Sequence, residues 1–190
     1  KASTRSRRGR IMRRKKISPV LLISWMILLM LGTFLAVSHI STLSAQRLHG
    51  RAIRQTVFEV NDLTDELEVL FNADKTASAA LANLSGRLSA CITGTEINDD
   101  YTALVKATAN TVYQYACGLS GSSELSPTAL DILKSDAVKY NGMLHDATQY
   151  VMSLLQSNSE KKMDKAYFEA SLPGKYNNEL ITSYVKSLQK

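Results

Sequence analysis

Between Ile17 and Ser38 the chain runs "ISPVLLISWMILLMLGTFLAVS" without one charged side chain, and from Val20 to Val37 it is almost wholly apolar. A helix needs about 20 such residues to cross a hydrocarbon layer roughly 30 Å thick, where the backbone must satisfy its own hydrogen bonds. The segment therefore reads as a transmembrane helix over residues 17–41. The rival reading is a cleaved secretory leader with Ala36-Val37-Ser38 as the cleavage site. Secretory apolar cores run only about 7–15 residues, and this one is longer, so an uncleaved signal-anchor is expected.

The flanks assign a direction to the span. Lys1, Arg5, Arg7, Arg8, Arg10, Arg13, Arg14, Lys15 and Lys16 precede it with no acid among them, whereas the far side offers Arg47, Arg51 and Arg54. Basic residues beside a span stay in the cytoplasm, which makes residues 1–16 a cytoplasmic tail suited to anionic lipid head groups. The tail also explains the net charge of +6, since the rest of the chain is mildly acidic. A nucleic-acid reading of the basic block would leave the adjoining apolar run without a role. No nucleic-acid partner is expected.

Beyond the membrane, residues 42–190 read as an extracytoplasmic domain. Ile53, Val57, Val60, Leu63, Leu67 and Leu70 recur at alternating steps of three and four, continued by Ala77, Leu81, Leu84, Leu88 and Cys91. That is one face of a long helix, with an irregularity expected at Asn72-Ala73-Asp74, where Asp74 takes a stripe position. Gly94 closes this element and "TEINDD" caps a second helix with the face Ile97, Tyr101, Leu104, Thr108, Val112 and Tyr115. Ser126 and Pro127 are a cap and first-turn pair for a third, with the stripe Leu130, Leu133, Ala137, Tyr140, Leu144, Ala147, Val151 and Leu154. "SNSEKKMDK" reads as a polar connector, "AYFEASLPGKY" as a turn-bearing stretch, and Tyr176 to Leu188 as a final helix. No segment alternates with period two. The fold class is all-α: one transmembrane helix followed by an elongated antiparallel helical bundle.

The chemistry-bearing residues are sparse. The chain has three histidines, His39, His49 and His145, and no HExxH, CxxC or acidic calcium loop; no metal site or cofactor is expected. "GLSG" at Gly118 to Gly121 lacks the lysine and strand context of a phosphate loop. His145 and Asp146 are neighbours, but on a helix they diverge by about 100° and cannot form an oriented pair. His145 accordingly reads as a flank residue whose loss changes stability by no more than roughly 0.5 kcal/mol. Cys91 and Cys117 fall at opposite ends of successive helices, too distant for a disulfide. No catalytic residue emerges, and an enzyme is not expected.

"YNGMLHDATQYVMSLLQSN" followed by "AYFEA" resembles the C-terminal helix of the LemA family of membrane-anchored bacterial helical proteins. Tyr140, Asn141, Asp146, Val151, Ser153 and the tract Tyr167-Phe168-Glu169-Ala170 carry the match, and Ala147-Thr148 stands where that family has a second Tyr-Asn. The resemblance implies an elongated bundle on the bacterial membrane without enzymatic activity, associated with protein quality control in the envelope. The expected function is protein–protein interaction in the bacterial cell envelope; a sensory or ligand-binding four-helix module is the alternative. Expected partners are the lipid bilayer, an unidentified envelope protein and a second copy of the chain in a homo-oligomer.

Overall fold

A computed structural model describes residues 19–73, 77–92, 97–121, 125–176 and 178–188. Helices are its only regular structure among the described residues: α1 Pro19–Phe71, α2 Ser78–Cys91, α3 Asp99–Leu119, α4 Pro127–Leu154, α5 Glu160–Ala170 and α6 Glu179–Leu188. The chain divides into two compact units, Lys1–Thr42 and Leu43–Lys190. The basic tail of residues 1–16 lies outside the described residues.

The described part of the first unit is the start of α1. Proline suits its first turn, where the missing N–H would have no partner. The large apolar side chains from Val20 to Ile40 are each 51–71% exposed, so none of them is buried by protein. Ser24, Thr33 and Thr42 fold their hydroxyls back onto the carbonyls of Val20, Met30 and Ser38, so these polar groups are satisfied within the helix.

The second unit is a helical bundle with one hydrophobic core. From α1 it takes Ile53, Val57, Val60, Leu63, Leu67 and Phe71, and from α2 Leu81, Leu84, Leu88 and Cys91. α3 adds Tyr101, Leu104, Val105, Ala109, Val112, Tyr115 and Ala116, and α4 adds Ala137, Leu144, Ala147 and Val151. The long stripe does break where Asp74 interrupts it. α1 ends at Phe71 and α2 begins at Ser78; Asp74 itself, like Gly94, lies outside the described residues.

Caps fall where polar side chains can meet orphan amides. The Asn98 side chain accepts from the Tyr101 N–H at 2.6 Å, and Asp99 and Asp100 occupy the first turn of α3, where the helix dipole favours acids. The Ser126 hydroxyl accepts from the Ala129 N–H at 3.2 Å ahead of Pro127, as the sequence led us to expect.

Two expectations need correction. The connector "SNSEKKMDK" and the tract after it contain a helix, α5, which buries only Asp164, Tyr167 and Ala170. Its inward face is too short and too polar to show an apolar period. The α4 stripe is also rotated: Asn141 and Thr148 are buried, whereas Leu154 is 54% exposed and Tyr140 only half-buried. α4 turns these polar side chains inward because α1 and α3 supply groups for them to bond.

α5 is held to α1 by a close backbone approach. A methyl at Gly50 would collide with the Asp164 carbonyl and press on the Phe168 side chain. Next to this approach the Arg54 Nε donates to Asp164 Oδ1 at 2.9 Å with both side chains largely buried. His49 meets Phe168 edge to face.

Candidate functional site

One group of polar residues lines the seam between α1 and α4. Asn61 and Asp65 share one side of α1 at a four-residue step, and Asn141, His145 and Gln149 do the same on α4. The Asn141 Nδ2 donates to the Thr64 main-chain carbonyl at 2.9 Å in the buried part of the seam. Farther out, Gln149 Nε2 donates to Asn61 Oδ1 at 2.9 Å.

His145 lies between these contacts. Its Nδ1 is 3.2 Å from Asp65 Oδ1 and 3.3 Å from the Thr64 hydroxyl. That hydroxyl already donates its hydrogen to the Asn61 carbonyl at 2.7 Å, and an ionised carboxylate only accepts. Both neighbours therefore require the hydrogen on Nδ1, which leaves the lone pair of the neutral ring on Nε2. His145 and Asp146 do point apart: Asp146 Oδ2 accepts from the Tyr184 hydroxyl of α6 at 3.4 Å. The carboxylate that orients His145 is Asp65, which stands 80 residues earlier in the chain. No period in the sequence of α4 could have disclosed it.

A cavity of about 340 Å³ opens beside this seam, with Glu68, Phe71, Val138, Asn141, His145 and Asp146 on its walls. No serine, threonine, cysteine or lysine lines it. The groups that share its wall with the imidazole include the Glu68 and Asp146 carboxylates and the Asn141 amide. Among the described residues, no cluster of three or more His, Cys, Asp or Glu side chains has the disposition to hold a metal ion.

Other polar groups hold the helices in register. Thr148 donates to the Leu144 carbonyl at 2.7 Å, so its oxygen accepts from the Tyr101 hydroxyl at 2.9 Å. Burial pushes the Tyr101 phenol well above the usual range, and Tyr167 is raised by the same cause to about 12. Ser85 donates to the Ala109 carbonyl at 2.8 Å, and the single Thr108 hydroxyl hydrogen is shared between the Leu104 carbonyl at 2.9 Å and the Tyr140 carbonyl at 3.2 Å. Cys91 and Cys117 are not joined by a disulfide. Burial, seconded by the charge of Glu59, pushes Cys91 up to about 11.

A second concavity lies on the outside of the bundle between α1 and α2. It measures about 440 Å³, is lined chiefly by Val69, Leu70, Ala80 and Leu84, and is bordered by Glu66 and Arg87. Sequence reasoning passed over it because Val69 lies off the buried stripe. The visible signal is the acidic run Glu59, Asp62, Asp65, Glu66 and Glu68, bracketed by the apolar pair Phe58 and Val69. Comparison with family models, curated proteins and solved structures gave no match to the chain.

Proposed function

We propose that this chain is a single-pass anchor protein of the bacterial cell envelope whose antiparallel helical bundle binds another envelope protein and catalyses nothing. The observation that carries the reading is the apolar surface of α1 from Val20 to Ile40, exposed on every side. A helix apolar all round is at home in lipid, and such a surface in water would drive aggregation. The basic residues of the tail assign the N-terminus to the cytoplasm and the bundle to the outside. The resemblance to the LemA family agrees with this plan. Protease added to spheroplasts should digest Arg47 to Lys190 and spare the tail; protection of the bundle would overturn the orientation.

The cavity at Asn141 and His145 favours one alternative, a ligand-sensing module. Purification from detergent-solubilised native membranes separates the two readings. A stoichiometric protein partner supports the first, and a small molecule retained through the bundle's purification supports the second.

A further inference from the structure

α1 buries one side and turns another outward, and the outward side is unusual. Phe58, Asp62, Asp65 and Val69 fall together on it at helical spacing, with Val69 70% and Phe58 39% exposed. From Gln55 to Ala73 the sequence holds the acids Glu59, Asp62, Asp65, Glu66 and Glu68 and no lysine or arginine. Across the groove, α2 contributes a single charged residue, Arg87, which is engaged by Glu66 at 3.3 Å and Glu59 at 3.9 Å. The result is an open apolar trough, floored by Leu70 and Leu84 and bordered by Glu66 and Arg87, beside an outer surface of α1 on which Asp62 and Asp65 are exposed.

Building on the protein-interaction reading above, we infer that the α1–α2 groove is the docking surface, and that it takes a basic amphipathic helix from another protein. Aliphatic anchors of that helix enter the groove beside Val69, and its lysines or arginines face the acids of α1. The choice of occupant rests on charge complementarity. A second copy presenting the same face would set acids against acids, and an anionic lipid surface would be repelled likewise. A helix is the natural guest of a trough between two helices, because its anchors at three- and four-residue steps follow the groove axis. Attraction to these acids sets partner choice and encounter rate, while the apolar anchors hold the complex.

The test uses the full chain in nanodiscs of uncharged lipid and three fluorescent synthetic helical peptides of equal length. One carries leucine anchors with lysine flanks, one leucine anchors with glutamate flanks, and one serine in place of leucine with lysine flanks. The leucine–lysine peptide should bind at least about tenfold tighter than either control. Val69→Ser and Asp62→Lys should each weaken it at least about fivefold without lowering the melting temperature, since both side chains are exposed. Equal binding of the serine–lysine peptide, or indifference to Val69→Ser, would overturn the assignment.

Photo-crosslinkers at Val69, Tyr113 and Ile132 in native membranes then separate the two levels of inference. Adducts from Val69 to a basic apolar segment of another protein support the groove. Adducts only from the other two positions, or from Val69 to a second copy, remove the groove and leave the interaction reading standing. No protein adduct from any of the three removes that reading as well.

Discussion

At the scale of single residues, the seam between α1 and α4 separates groups that matter for stability from those that only border the core. Asn141 is 4% exposed, and its Oδ1 has no hydrogen-bond partner among the described residues. Asn141→Asp would put a carboxylate there against the Thr64 carbonyl, at an expected loss of about 3 kcal/mol at neutral pH. A buried acid with a raised folded-state pKa is penalised only while ionised, so the loss should shrink as pH falls through that raised value and vanish once pH is below the ordinary carboxylate pKa. Chemical denaturation at pH 7 and pH 4 measures both limbs. His145→Ala should cost about 1 kcal/mol, more than its place off the stripe suggests, because it removes the donor that Asp65 and Thr64 share. Cys91 adds a pH dependence of the same sign at the alkaline end. Its folded pKa of about 11 lies above the ordinary thiol value of 9.0, so the neutral thiol favours the fold. That contribution is fully present below pH 9 and is lost as pH climbs from there to 11. In Cys91→Ala the alkaline decline should begin about one pH unit later, when buried tyrosines such as Tyr101 and Tyr167 come into play, as thermal melts between pH 7 and pH 11 would record.

Among the helices, α5 shows where a bundle can fail locally. Its attachment to α1 rests on Gly50, where the backbones meet, and on the Arg54–Asp164 pair beside it. Gly50→Ala should cost about 1–3 kcal/mol, since the added methyl has no room without lifting the helix. Trypsin should then cleave at Lys161 and Lys162 faster than in the parent while the fragments from α3 and α4 persist. Asp164→Ala should cost about 3 kcal/mol by leaving the Arg54 guanidinium buried without its counterion. This helix is also the element least legible in the sequence. α1 to α4 show themselves because Ile53, Val57 and Val60, or Leu104, Thr108 and Val112, repeat with the turn of a helix, and Ser126-Pro127 marks a beginning. α5 offers only Asp164, Tyr167 and Ala170 to the interior, and what makes them inward-facing is a glycine and an arginine more than a hundred residues away. The rotation of α4 escaped notice for a related reason: an apolar count prefers Tyr140 and Leu154 to Asn141 and Thr148, and only the groups on α1 and α3 reverse that preference. The candidate site was illegible to the same degree, since both the seam and the outer groove are made by pairs of helices.

For the molecule as a whole, every buried side chain named in the core belongs to the unit Leu43–Lys190. A fragment of those residues should therefore stay monodisperse without detergent and unfold in one cooperative transition, with coincident circular dichroism and tyrosine fluorescence. The full chain should require detergent, because the apolar start of α1 has no protein to cover it. The Arg54–Asp164 pair closes over 110 positions of the chain, and that separation has a meaning in time. At roughly 5–20 residues per second, the ribosome delivers Asp164 about 6–20 s after Arg54. In that interval α1 has no α5 to cover Gly50 and Arg54, and its flank is open to proteases. Nascent chains stalled just before Glu160 should be cut by trypsin at Arg54, and chains stalled late enough for Ala170 to have left the ribosome should not. For a protein of this plan, the hazardous stage is the interval between the synthesis of α1 and that of α5.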